Sequence, residues 1–200
     1  MMAPMDARRA VSADIPSAAA TLAGGFHDDP SWSWVFVDPK ARRAQMLGLW
    51  TLFLEGSIEA GGVWMTPGAE AVTLWIPPGR PELADPQAAR MWPLFDELLA
   101  GDVMRATVIM EQFSSARPDA PDHWYLSLFG TRADCRGQGI GMGLLRHNLA
   151  VIDEAGEPAY LESTNATNLE RYRSVGFVDH GEFTLPDGGP VVTTMWRDAR

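Results

Sequence analysis

The sequence predicts a single α/β (α+β) domain over residues 1–200, and three observations carry that expectation. Its 200 residues are one ordinary domain's length, enough to bury a continuous core without disulfide or metal staples. Helical stripes and short β-rich runs alternate along the chain, with no repeat, low-complexity tract or interdomain linker between them. In the C-terminal half a strand, a glycine-rich turn and a helix follow one another directly.

The elements follow in chain order. Asp14 before Ile15 and Pro16 is a helix start, because its carboxylate can accept from first-turn amides and proline needs no donor there; the helix extends to about Phe26. Asp38 and Pro39 repeat the signal, and Met46, Leu47, Trp50, Phe53, Leu54 and Ile58 recur at three and four residues, the stripe of a packed helix that Gly61 and Gly62 stop. Val63 to Met65 and Glu70 to Ile76 flank a Pro67-Gly68 turn as a hairpin. An irregular Pro77 to Pro81 connection leads to helices over Gln87 to Leu99, with Pro93 expected to bend it, and Met104 to Ser115. Trp124 to Thr131 reads as a buried strand, and the helix after the glycine turn carries Leu145, Leu149 and Ile152 on one face. Ala159 to Ser163 is a strand, Leu169 to Val175 a short helix ended by Gly176, and Phe177 to Leu185 with Val191 to Arg197 a closing hairpin. Trp32 and Trp34 lie in what reads as a turn-rich stretch after Asp28-Asp29-Pro30.

Composition narrows the function classes. A chain that is 46% hydrophobic and 21% charged is that of a folded protein rather than a disordered or fibrous one. Its formal net charge is -10 and its only lysine is Lys40, so a phosphate-tracking nucleic-acid surface is not expected. One cysteine, Cys135, excludes an intrachain disulfide and a Cys-rich zinc site, and no metal is expected. No apolar run approaches the roughly 20 residues of a membrane span, and Asp14, Pro16 and Ser17 interrupt any secretory core. A cytoplasmic protein without a membrane partner is the expectation.

The glycine turn, Arg136-Gly137-Gln138-Gly139-Ile140-Gly141-Met142-Gly143, carries the chemistry. At the start of a helix several backbone amides point outward along the positive end of the dipole, which suits an anion. A β-carbon would hold a phosphate away from those amides, and Arg136 adds a full charge. The dinucleotide fingerprint fails, since Met142 or Leu144 falls at its last glycine, and Walker A fails for want of a lysine. A glycine-rich connection without a ligand is the plain alternative. What remains, R-G-x-G-x-G between strand and helix, resembles the pyrophosphate loop of the GNAT superfamily of N-acetyltransferases. The order His123-Trp124-Tyr125-Leu126 through Gly141, then Tyr160-Leu161-Glu162-Ser163-Thr164, Asn168-Leu169, Tyr172 and Gly176-Phe177, is similar to the puromycin N-acetyltransferase subgroup. Upstream, Phe26-His27-Asp28-Asp29-Pro30, Val37-Asp38-Pro39 and Ala71 to Pro77 extend the likeness over nearly the whole chain. Ala133 departs from the proline common before the loop.

The resemblance implies the GNAT fold: a central mixed, mostly antiparallel sheet flanked by helices, with a V-shaped opening between the two central strands that holds acetyl-CoA. It places the acceptor pocket in the N-terminal half and acetyl-CoA in residues 123–197. Phe129, Gly130 and Thr131 would run beside the pantetheine, Arg136, Gly137, Gln138, Gly139, Ile140, Gly141 and Met142 would hold the pyrophosphate, and Asn168 would meet the cofactor near the pantetheine. Tyr172 is placed beside the thioester sulfur as general acid, against the alternative of a packed helix residue with a wet hydroxyl. Glu162, in the strand expected to line the cleft, is the candidate base, against the alternative of an ion pair with a neighbouring arginine. His123 and His27 stand behind it, and Cys135 is a bystander because acetyl transfer in the superfamily is direct. Of the eight tryptophans most should be core, but Trp32 and Trp34 could stack on a flat amine.

These readings converge on an acetyl-CoA-dependent N-acetyltransferase acting on a primary amine of a small molecule, of the aminonucleoside antibiotic type that the subgroup implies, as a monomer or homodimer. The rivals are acetylation of a protein amine, which needs an open groove, and a non-catalytic acyl-CoA or drug-binding module.

Overall fold

The computed structural model describes residues 6–119 and 121–200. Its strands are β1 (Arg8–Arg9), β2 (Val63–Met65), β3 (Ala71–Ile76), β4 (Trp124–Thr131), β5 (Ala159–Ser163), β6 (Val178–Thr184) and β7 (Val191–Arg197). Its α-helices are α1 (Ile15–Phe26), α2 (Pro30–Val35), α3 (Arg42–Glu59), α4 (Asp85–Leu98), α5 (Met104–Ala116), α6 (Ile140–Glu154) and α7 (Leu169–Arg173). The strands form one sheet in the order β1-β2-β3-β4-β5-β7-β6. The β4–β5 pair is parallel and the others are antiparallel. This is the mixed, helix-flanked sheet that the sequence predicts, and no described helix is long and apolar enough to cross a membrane.

Both faces of the sheet are covered, which explains why β3 is apolar without alternation: all six of its residues are buried. Val72, Leu74 and Ile76 join Leu22 of α1 and Leu49, Trp50 and Phe53 of α3 in the larger core. Trp75 faces the other way, with Leu145, Leu149 and Ile152 of α6. In β4 the alternation is reset at Ser127. Leu74 pairs with Leu128 but Trp75 with Leu126, so Ser127 is the extra residue of a bulge. Tyr125 and Leu128 therefore face the larger core while Leu126 and Phe129 face α6.

The parallel pairing of β4 and β5 covers only Trp124–Leu126 against Ala159–Leu161. Beyond it β5 stays with β7 as far as Ser163, and β4 stays with β3 as far as Thr131. The two central strands part from the bulge onward, which makes the opening expected between them. α1 lies close over β4 because neither side has a side chain at the crossing: a β-carbon on Gly25 would come within 3.1 Å of the Gly130 Cα.

Two elements differ from the sequence reading. Residues 30–35 are a helix rather than turns: Asp29 caps it by accepting from the amides of Ser31 (3.0 Å) and Trp32 (3.1 Å), with Pro30 in the first turn. Six residues are too few to show a stripe, and only the cap betrays it. Arg8 and Arg9 form an edge strand against Met65 and Trp64, held by Arg8 on Asp14 at 2.7 Å and by Arg9 4.0 Å over the Trp64 ring rather than by apolar alternation. α4 continues through Pro93 to Leu98.

The last hairpin is fastened to α6 by Arg197, which is 3% exposed. Its guanidinium donates to both Asp153 oxygens at 2.6 and 2.7 Å and to the Val175 carbonyl at 3.0 Å. Removing the carboxylate charge leaves a buried cation with weaker partners, at a cost of about 1–3 kcal/mol. Asp153→Asn should lower stability by that amount in urea titration with the slope unchanged, and an unmoved midpoint would show that the pair contributes nothing.

Candidate active site

A cavity of about 570 Å³ occupies the opening between β4 and β5. One wall is β4 from Tyr125 to Thr131, the glycine loop and the first turn of α6; another is the end of β5 with α7. The third comes from the N-terminal half, where Phe26, Trp32, Trp50 and Phe53 face Met110 and Phe113 of α5.

Of the eleven residues expected to bind cofactor, ten line this cavity; Gln138 alone does not, its amide nitrogen instead donating to the Asp134 carbonyl at 2.9 Å. Gly139 caps α6 in the left-handed region, φ 78°, and a β-carbon there or on Gly137 would meet nothing within 4 Å. The Gly143 amide donates to the Gly139 carbonyl at 2.8 Å, while the amides of residues 137–142 meet no backbone carbonyl and are free for an anion. Those residues fit a pyrophosphate. Arg136 has a second duty: its Nη2 donates to the carbonyls of Gly24 and Gly25, each at 3.2 Å, and its Nε to that of Thr131 at 3.4 Å. It ties the last turn of α1 to the loop. Asn168 lines the same space and accepts from Arg171 at 2.8 Å.

Glu162 sits just past the parallel pairing, on the cavity wall. Its Oε1 is enclosed and has no hydrogen-bond partner. Loss of water pushes its carboxyl up to about 7; the Arg117 charge and the hydroxyls of Tyr125 and Tyr160 oppose that rise, and Glu82 adds to it. A carboxylate half ionised near neutrality is poised to take a proton. The Tyr160 hydroxyl donates to the Ala116 carbonyl at 3.1 Å, and its ring lies 5.9 Å from that of Tyr125, its register partner.

Tyr172, in α7, lines the cavity with its ring edge-on to Phe177 at 6.2 Å. Burial first, and then the Asp29 charge, raise its phenol above the ordinary tyrosine value, so it stays protonated. Asp29 is 7% exposed. Besides capping α2 it accepts from the Thr164 hydroxyl at 2.6 Å, joining the α1–α2 corner to the free end of β5.

Trp32 and Trp34 part company. Two residues of helix are about 200° of rotation, so they lie on opposite sides of α2. Trp32 lines the cavity, 4% exposed and edge-on to Trp50 at 4.7 Å. Trp34 does not; its ring lies under Arg105 at 5.2 Å. His123 lies edge-on to Tyr160 and Trp196, and neither it nor His27 lines the cavity. Cys135 touches it, with the Arg132 guanidinium 3.4 Å from Sγ. Among the described residues no group of three His, Cys, Asp or Glu is arranged to hold a metal.

Sequence reasoning missed Glu82 and Arg117. Glu82 accepts from the Ser127 hydroxyl and, at 2.9 Å, from Arg117; Arg117 lies 3.7 Å over the Tyr125 ring. Both sit in irregular chain, after Pro81 and before Pro118, where no periodicity marks a face.

No protein-family model matches the chain. An uncharacterised N-acetyltransferase of Schizosaccharomyces pombe is 27% identical over 186 residues, 87% of this chain and 74% of that protein. A crystal structure described as histone acetyltransferase HPA2 and related acetyltransferase from Corynebacterium glutamicum superposes with a TM-score of 0.69 at 26% identity, over 97% of this chain and 96% of that one. Arylalkylamine N-acetyltransferase 2 from Aedes aegypti shares the fold alone, with a TM-score of 0.64 at 12% identity over 97% and 98% of the two chains.

The Glu162 carboxyl should titrate with a midpoint near 7, read by carbon NMR as the glutamate signal absent from Glu162→Gln. A midpoint near 4.5, the ordinary glutamate value, would show the group to be well hydrated.

Proposed function

The chain being an acetyltransferase of the GNAT fold, we propose that it transfers the acetyl group of acetyl-CoA directly to the primary amine of a small molecule with an aromatic body, of the aminonucleoside antibiotic class. The observation that carries this reading is the joining of an amide-rich loop and an acidic, aromatic chamber in one cavity. Its volume lies in the range of small-ligand sites.

The amides of residues 137–142 would hold the pyrophosphate and Phe129 to Thr131 the pantetheine. The bound thioester supplies an activated acyl group. Glu162 takes the proton of the ammonium, directly or through water, leaving a neutral nucleophile; the requirement that it be ionised makes activity rise with pH through about 7. Tyr172, held protonated, gives its proton to the departing sulfur. Asp29, Glu82 and Glu162 favour a cationic acceptor, and Phe26, Trp32, Trp50, Phe53 and Phe113 favour an aromatic one. Local resemblance to the puromycin N-acetyltransferases supports the aminonucleoside class and a detoxifying or resistance role. A protein amine is the second reading, favoured by the histone acetyltransferase description of the Corynebacterium structure.

Thiol release from acetyl-CoA across aminonucleosides, aminoglycosides, polyamines and peptides tests the reading. Release with aminonucleosides alone is expected; release only with peptides makes the acceptor a protein, and CoA binding without release to any amine makes the chain a binding module. The cradle is tested by calorimetry: Gly139→Asn tolerates the left-handed φ, and Gly139→Asp adds only a charge to it. The Asp variant should bind CoA at least about tenfold more weakly than the Asn variant, and equal affinities would remove the pyrophosphate from this loop.

Tyr172→Phe keeps the ring and its contact with Phe177 while removing the donor. Single-turnover rate at saturating amine should fall about 10² or more, with acetyl-CoA affinity little changed. A full-rate variant would assign the proton to water or another group.

A further inference from the structure

Beside the cavity lies a partly buried charge pair: Glu82 is part of the wall, and its partner Arg117 has been given no role so far. Arg117 follows α5 and donates from Nη2 to Glu82 Oε2 at 2.9 Å. Its guanidinium lies over the Tyr125 ring at 3.7 Å, and its Nε is enclosed without a partner. Glu82 accepts with its other oxygen from Ser127, the bulge residue of β4. The pair is thus built onto the point where β4 and β5 part. Side-chain exposure is 26% for Arg117 and 18% for Glu82, so screening by water is weak. Two partly buried carboxylates of the cavity wall, Glu82 by an ion pair and Glu162 by charge alone, act on this one cation.

We propose that the Glu82–Arg117 pair is a positioning element that sets the pH at which Glu162 becomes a base, and with it the pH window in which the enzyme accepts amines. The second clause rests on the reading of Glu162 as base; the first does not. Arg117 is a positioning residue here, because it acts through Glu162. Its fixed charge favours the carboxylate form of Glu162, and Glu82 beside it opposes that effect. The other groups facing Glu162 are the hydroxyls of Tyr125 from β4 and Tyr160 from β5 itself; Asp28, Asp29, Arg136, Arg171 and Tyr172 line the cavity with Tyr125. Arg136 and Arg171 line the cavity, but Arg117, 3.7 Å over the Tyr125 ring, is the cation whose charge acts on Glu162. An amine entering the chamber meets a base whose readiness is fixed by a pair that touches neither the acyl donor loop nor α7.

The geometry gives opposite signs for the two partners, which a purely structural role would not. Arg117→Met removes the cation and should raise the Glu162 midpoint by about one pH unit, a tenfold gain in proton affinity. Glu82→Gln removes the competing anion and should lower it, while Arg117→Lys keeps the charge and should restore it to within about half a pH unit of the native value. The measurement is the carbon NMR titration of the Glu162 carboxyl, made on variants whose thermal unfolding is first shown to be cooperative; if Arg117→Met does not fold, the downward shift in Glu82→Gln decides. Midpoints that move apart in this way carry the proposal, and a folded Arg117→Met protein with the native midpoint overturns it. The acid limb of kcat/KM, measured on the same variants with the best amine of the panel, should follow the NMR midpoint. If the carboxyl midpoint moves and that limb does not, the charge pair stands and the reading of Glu162 as the base fails.

Discussion

Three residue pairs hold β4 to β5, and their number decides what the molecule can do. Were the parallel ladder to continue, the backbone groups of β4 beyond Leu126 would be satisfied by β5 and no opening would form. The bulge at Ser127 ends it, increasing the local twist and returning the following residues to the faces that their side chains require. Leu128 and Phe129 still reach their separate cores. The sheet can open there without an apolar cost, because the residues that would otherwise slip out of phase are reset by one insertion.

An opening between strands leaves backbone polar groups and charges partly stripped of water, and the surrounding elements answer that need. The first turn of α6 brings amides without acceptors; Asp29 ties Thr164, just beyond the end of β5, to α2; Glu82 takes the Ser127 hydroxyl. Each contact joins chain segments far apart in sequence, so the cavity is formed only when the whole domain is folded. Burial within this frame is also what moves the proton affinities. Glu162 rises because it loses water, and Tyr172 stays protonated for the same reason. One cause thus moves a carboxyl and a phenol in the same direction. The rise brings the carboxyl to neutrality and keeps the phenol from losing its proton.

Regular elements with long apolar patterns were legible in the sequence: α3 from its stripe, β3 and β4 from their β-rich runs, α6 from Leu145, Leu149 and Ile152. The amide-rich end of the cavity was legible too, because exposed backbone amides at a helix start need glycine and little else. The aromatic and acidic end was less so. Trp32 and Trp34 look alike in a sequence, and only the rotation of a six-residue helix separates one that lines the cavity from one under Arg105. Glu82 and Arg117 lie in irregular chain beside prolines and meet across 35 positions. Pairing of that kind is settled by tertiary packing and has no local period to read.

The glycine loop shows how one motif can serve two physical ends. At Gly137 and Gly139 the requirement is conformational: φ is 77° and 78°, and a β-carbon would point into open space. At Gly141 the backbone is ordinary helix, but a β-carbon would overlap the Thr131 hydroxyl and press on the Phe129 ring. The first two glycines shape the turn that exposes the amides, while the third lets α6 lie against the end of β4. An alanine at Gly141 would be an excellent helix residue by propensity, yet it would move the helix start away from the strand beside it. The glycine turn and the parting strands are in that way one assembly, with Gly141 as the contact that sets their separation.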